Sequence, residues 1–262
     1  MPGNPKTGST KSAAGRGAGA IASATARQLT AANVAAAVVA LADPRRDLSL
    51  HGYFKTGPGQ YGAGDVFVGV TVPALRSIAR RYRDVPLGQI PQLLDSEIHE
   101  VRLAALLILV DAFAKGDRPQ QRQIYALYGS HIDRVNQWDL VDTSAPQIVG
   151  GWLADRNRRP LYTLAKARSL WRRRIAMVAT HHFIRRDDFD DALAIAELLL
   201  SAPEDLLHKA VGWTLREIGK RDRGALVGFL EQHRLRMPRT ALRYAIEHFS
   251  PAERARFMAR GE

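Results

Sequence analysis

Residues 100–114 read EVRLAALLILVDAFA, and this stretch decides the fold class. Its apolar residues recur every three or four positions and not at every second one, which is the period of a helix and excludes a half-buried strand. Asp111 interrupts the run before it reaches the eighteen or so uninterrupted apolar residues of a membrane span, so the helix is expected to sit in a protein core. The same period returns outward in both directions: NVAAAVVALA and VPALRSIARRY before it, then RQIYALYGSHI, RRRIAMVATHHFI, DALAIAELLL, LLHKAVGWTLREIG, ALVGFLEQH and TALRYAIEHF after it. Strand-type alternation is almost absent from Ala31 onward.

Prolines 73, 86, 119, 160, 203, 238 and 251 fall near expected helix starts, where a missing N–H costs nothing. Helix pairs therefore recur at about 35 to 40 residues, the size of a HEAT-type repeat. The expected fold is all-α, an irregular α-solenoid of HEAT-like helical repeats with a concave basic groove; an ordinary helical bundle is the alternative. One segment breaks the pattern. Residues 51–70, HGYFKTGPGQYGAGDVFVGV, are rich in glycine and aromatics and predict an ordered loop or a short hairpin. No Lys-Ser/Thr of a P-loop follows, which favours a structural turn over a phosphate cradle.

The chain has 262 residues, 46% hydrophobic and 24% charged, enough to bury a sizeable core. Residues 1–28 carry Lys6, Lys11, Arg16 and Arg27 but no acid, among Gly, Ala, Ser and Thr. They predict a disordered basic tail ahead of a helical domain spanning 29–262. Lys and Arg total 38 against 26 Asp and Glu, a formal charge of +12, which favours a polyanionic partner, nucleic acid before an anionic membrane surface. The absence of cysteine removes disulfides, thiolate nucleophiles and cysteine metal sites. A cytoplasmic location is expected.

Within this basic chain, QWDLVDTSAP (Gln137–Pro146) sets two carboxylates beside a tryptophan. As a helix it buries Val141, Ala145, Ile148 and Trp152, and leaves Trp138 and Asp142, one turn apart, on the flank of that stripe. Asp139 points elsewhere and reads as a first-turn carboxylate favoured by the helix dipole. Pro146 has no N–H for the carbonyl of Asp142, so a kink or break is expected there. An amphipathic helix with a boundary tryptophan accounts for the same pattern. In LLHKAVGWTLREIGKRD, Leu207, Val211, Leu215 and Ile218 form the core stripe. Trp213 lies opposite and is expected to be exposed among Lys209, Arg216 and Lys220, as suits a nucleic-acid backbone; burial of Trp213 under a neighbouring helix is the alternative. In LWRRRIAMVATHHF, Arg174 is the arginine on the flank of the core stripe. His181 and His182 lack metal-ligand spacing, and no metal or other cofactor is expected.

WDLVD, LWRRRIAMVA and KAVGWTLREIGK, in this order and preceded by FVGVTVPALRSIAR, resemble the AlkD-type DNA alkylation repair proteins, which are HEAT-like-repeat DNA glycosylases. The resemblance runs from about Tyr53 to Phe249. It implies Asp142 as the catalytic aspartate, Trp138 and Trp213 as the active-site tryptophans and Arg174 as the active-site arginine, with Arg173 as the neighbouring register. It further implies a monomer acting on double-stranded DNA that carries N3- or N7-alkylated purines, hydrolysing the N-glycosidic bond without drawing the base into a deep pocket. Two other classes remain: a catalytically silent helical-repeat DNA-binding protein, and a scaffold for acidic proteins. A carboxylate beside phosphate would only repel DNA in a pure binder, and an aromatic in a cationic face does not suit a scaffold.

Overall fold

The helix expected at the centre of the chain runs from His99 to Lys115 and is buried almost all round along its first three turns, because further helices pack against both its sides. The structure, a computed structural model, describes residues 29–259; the expected basic tail lies outside the described residues. In chain order the helices are α1 (Ala31–Val39), α2 (Pro44–Phe54), α3 (Val72–Arg81), α4 (Ile90–Leu94), α5 (His99–Lys115), α6 (Arg118–Ser130), α7 (Trp138–Ala145), α8 (Gly151–Leu153), α9 (Arg159–Ala165), α10 (Leu170–Ala179), α11 (His181–Ile184), α12 (Asp190–Leu199), α13 (Asp205–Gly219), α14 (Arg223–His233), α15 (Arg239–Ala245) and α16 (Pro251–Met258). No helix among them is long and apolar enough to cross a membrane.

Local chemistry fixes the starts. Thr71 caps α3, Asp117 caps α6, and Ser250 with Glu253 closes a reciprocal capping box on α16, each with a proline in the first turn. A capping side chain satisfies N–H groups that the helix itself cannot, and proline there gives up an N–H that had no partner.

The architecture is an α-solenoid. Helices α5, α7, α10, α13 and α15 each pack on the next, forming one continuous row, and α4, α6, α9, α12 and α14 back them as a second layer. The closest approach in the row is between α13 and α15: a Cβ on Gly212 would collide with the Ala241 carbonyl and the Tyr244 Cβ. The core follows the expected stripes. Val141, Ala145, Ile148, Leu207, Val211, Leu215 and Ile218 are buried, whereas Trp152, expected in the same stripe, is half-buried, its ring stacked on Tyr125 with Arg156 over it.

Pro146 bends the chain in a specific way. Residues Pro146–Gly150 form one π-helical turn that joins α7 to α8, so the expected break is a widened turn, as the loss of one i→i−4 bond allows.

The glycine-rich segment begins inside α2, which extends to Phe54. Its remainder is a series of turns. No hairpin forms; Val66 makes an isolated parallel bridge with Ile98. The segment does cradle an anion, and that anion belongs to the protein: the backbone N–H groups of Val68, Gly69 and Val70 donate to the buried carboxylate of Glu100 at 3.1, 2.8 and 3.3 Å. Gly69 has φ 81°, the left-handed conformation that lets successive N–H groups converge on one acceptor.

Candidate active site

Three helices of the continuous row bring the expected residues together. Trp138 opens α7 and Asp142 follows one turn later, Arg174 projects from α10, and Trp213 from α13; with Tyr61 and Lys209 they line a cavity of about 520 Å³. A larger cavity of about 710 Å³ lies between α6 and α9 and holds none of these residues. Of these two, the smaller one brings carboxylate, guanidinium and indole groups together, and we take it as the candidate site.

Its centre is an ion pair. Arg174 donates through Nε to Asp142 Oδ1 at 3.0 Å and through Nη2 to Oδ2 at 2.7 Å, while Nη1 donates to the Leu206 carbonyl at 2.7 Å. This two-pronged contact fixes the carboxylate in plane and leaves each oxygen a further lone pair. Arg174 is buried, whereas the Asp142 side chain keeps 21% of its surface, so solvent or a ligand reaches the carboxylate and not the guanidinium. Burial pushes the Asp142 carboxyl above the usual aspartate range; Arg174 opposes this and the nearby Asp139 charge adds to it.

Each residue of the Arg172–Arg174 run has its own carboxylate. Arg172 holds Asp133, Arg173 holds Glu204, and Arg174 holds Asp142. Arg173 thus faces away from the cavity lining.

Trp138 is wedged among rings. Phe54 stacks on it at 5.2 Å and 15°, and Tyr53 meets it edge-on at 5.5 Å. Trp213 is half-buried, not exposed as the helical wheel predicts, because the buried His181 ring of α11 lies 4.3 Å from it. His181 donates or accepts at Thr214 Oγ1 over 2.9 Å, and burial lowers its pKa to about 4, which keeps the ring neutral. One edge of Trp213 still lines the cavity.

The cationic ladder of α13 is charge-paired along its length. Lys209 pairs with Asp205 at 2.8 Å, Arg216 with Glu247, and Lys220 with Glu217 at 2.7 Å. Lys209 and Arg216 line the cavity and Lys220 does not.

Asp139 differs from the expected solvated first-turn carboxylate. Only 15% of its side chain is exposed, and it binds His99 Nε2 at 2.8 Å. Tyr53, Tyr61 and Tyr244 were not legible as site residues, since the first two come from the glycine-rich region and the third from α15, brought in by the close approach at Gly212. A third cavity, of about 360 Å³, shares Tyr53, Trp138 and Asp142 with the candidate site and has Arg46 of α2 in its wall.

No curated protein sequence matches the chain. Among solved structures, a chain described as "Predicted DNA alkylation repair enzyme from Enterococcus faecalis" superposes with a TM-score of 0.62 at 17% identity, covering 80% of this chain and 97% of that one, a likeness of fold. A family model described as DNA alkylation repair enzyme matches residues 34–249, a span that runs from α1 past α15 and contains Trp138, Asp142, Arg174 and Trp213. The chain belongs to the DNA alkylation repair enzyme family.

Proposed function

We propose that this member of the family is a monofunctional DNA glycosylase that excises cationic N3- or N7-alkylated purines from duplex DNA. The observation that carries this reading is the Asp142 carboxylate, clamped by Arg174 and open to a cavity walled by Trp138 and Trp213. A purine alkylated at N3 or N7 is already positively charged. Its C1′–N bond breaks with the electron pair going to the base, which leaves neutral, so no general acid is needed. Positive charge then develops on the sugar, and water adds its oxygen at C1′ and gives up a proton.

Asp142 would stabilise that sugar cation and orient the water. A well-placed electrostatic group of this kind contributes about 3 to 4 kcal/mol to the barrier. The clamp by Arg174 means the carboxylate needs no reorientation as charge develops. Both indoles line the cavity, and a ring face met by a cationic lesion or sugar would contribute about 0.5 to 2 kcal/mol.

The duplex would run along the row of α5, α7, α10, α13 and α15, which would supply the basic groove, with its phosphates near Lys209 and Arg216. Because both cations are held by carboxylates, phosphate would have to take the place of Asp205 and Glu247, so α13 should contribute register more than affinity. The test is chromatographic detection of free 7-methylguanine and 3-methyladenine after incubation with methylated duplex DNA. Enzyme-dependent release supports the glycosylase reading; tight binding without release means a silent DNA-binding protein.

A further inference from the structure

His99, the first residue of α5, does not line the cavity that holds the Asp142–Arg174 pair, yet it is joined to the site from two directions. Its Nε2 meets Asp139 Oδ2 at 2.8 Å and its Nδ1 meets Asp65 Oδ2 at 3.3 Å. Asp139 in turn accepts the Leu140 N–H at 2.9 Å within the first turn of α7, immediately after Trp138. The second connection is through rings: Phe67 stacks on His99 at 4.4 Å, Phe54 stacks on Phe67 at 4.7 Å, and Trp138 stacks on Phe54 at 5.2 Å. One histidine therefore bonds to the segment that carries Tyr61 and to the helix that carries Trp138 and Asp142.

We propose that His99 is a positioning residue: it locks the glycine-rich segment to the first turn of α7 and so sets the plane of the Trp138 ring and the place of the Asp142 carboxylate. The inference rests on the glycosylase reading for its kinetic consequence, and on geometry alone for its effect on Trp138. His99 is 1% exposed, so an uncompensated charge there would be costly, and a neutral ring can donate to only one of the two aspartates. Only the imidazolium donates to both. Burial by itself would lower the histidine pKa, but the hydrogen bonds to Asp139 and Asp65 outweigh it and hold the value at about 9.

Four elements bring charged groups toward His99, and Arg46 of α2 lines the cavity of about 360 Å³ that His99 also lines. From the glycine-rich segment comes Asp65, whose other oxygen is bound by Arg102 of α5; from α7 comes Asp139; the adjacent Glu100 is turned to the amides of Val68–Val70. Loss of the His99 proton would take the histidine donor from either Asp65, which keeps Arg102, or Asp139, which stands on the helix of Asp142.

The experiment compares the wild type with His99→Gln, which removes the charge and one of the two donors. Near-UV circular dichroism, with Trp138→Phe to identify the Trp138 band, is followed from pH 6 to 10.5, alongside kcat and KM for base release from methylated duplex. In the wild type the Trp138 band should titrate near pH 9 and kcat should fall with it. In His99→Gln the band should be altered at pH 7 and show no such step, with kcat lower by roughly ten- to a hundredfold and KM within about threefold. A Trp138 band that is flat across pH 9 in the wild type overturns the proposal even if the variant fails to fold. So does a folded His99→Gln with wild-type kcat and Trp138 band. If the wild type releases no base while the Trp138 band titrates near pH 9, the glycosylase reading fails and the positioning of Trp138 by His99 stands.

Discussion

Removing the Glu100 carboxylate should be among the most destabilising single changes available outside the apolar core. Glu100 is 2% exposed and accepts N–H bonds from three successive residues, Val68, Gly69 and Val70. Hydrogen bonds to a charged group contribute about 1.5 to 3 kcal/mol each, and amides left buried without an acceptor cost a comparable amount. The Val70 contact is long at 3.3 Å, and the segment can relax partly toward water, so the sum is an overestimate. We expect Glu100→Ala to lose about 3 to 5 kcal/mol, a large fraction of a total that is typically about 5 to 15 kcal/mol. Glu100→Gln keeps one carbonyl oxygen but turns an NH₂ toward donors, and should lose about 1 to 2 kcal/mol. Urea denaturation at pH 7, followed by far-UV circular dichroism with unchanged m, measures both. The reasoning is refuted if Glu100→Ala lies within about 0.5 kcal/mol of wild type, or if Gln costs as much as Ala.

Three further outcomes follow from the site. His99 has its pKa raised from 6.5 to about 9 on folding, so its contribution to stability is complete below pH 6.5 and is lost as pH rises through 9; wild-type urea stability should fall by about 2 to 3 kcal/mol across that window, and His99→Gln should flatten the fall. Burial holds Asp142 above the ordinary aspartate value of 3.8, and only the carboxylate stabilises a sugar cation, so single-turnover excision, corrected for the enzyme-free rate, should decline with a midpoint above 3.8 as pH drops; a midpoint at or below it would remove Asp142 from the rate-limiting ionisation. Trp213→Ala should lower excision more than binding with an unchanged salt slope, whereas Glu247→Gln, by freeing Arg216, should strengthen duplex binding and steepen the slope of log K against log salt by up to about one unit; equal salt slopes for wild type and Glu247→Gln would show that Arg216 makes no phosphate contact.

The helices were legible because burial enforces a period. The stripes of α5, α7, α10 and α13 could each be drawn from the letters, since a residue facing the core must be apolar wherever its neighbours lie. The prolines marked starts for the same local reason. What was lost depends on pairing across long sequence separations. Asp139 looks like a solvated first-turn acid until His99, forty residues earlier in the chain, is placed against it. Trp213 looks exposed on an isolated wheel, and becomes half-buried because His181 arrives from α11. The α13 cations look free, and each proves to face a carboxylate, one of them Glu247 on α15. Helix α2 escaped notice because, among its described side chains, most are exposed and Phe54 at its end is the one that is buried, so no apolar period announces it. The two tyrosines of the glycine-rich region carry no periodic signal either.

The measurement that bears most directly on the central claim is single-turnover release of free base from methylated duplex DNA by the wild type and by Asp142→Asn, each at saturating protein, with duplex affinity measured in parallel. The variant keeps the shape of the side chain and one oxygen for Arg174 while removing the charge. Because the carboxylate serves the sugar cation and is unhelpful beside phosphate, the wild type should release 7-methylguanine or 3-methyladenine, and Asp142→Asn should release neither above the enzyme-free rate while binding duplex as well as or better than the wild type. Excision by Asp142→Asn at the wild-type rate, or no release by the wild type, would contradict the account.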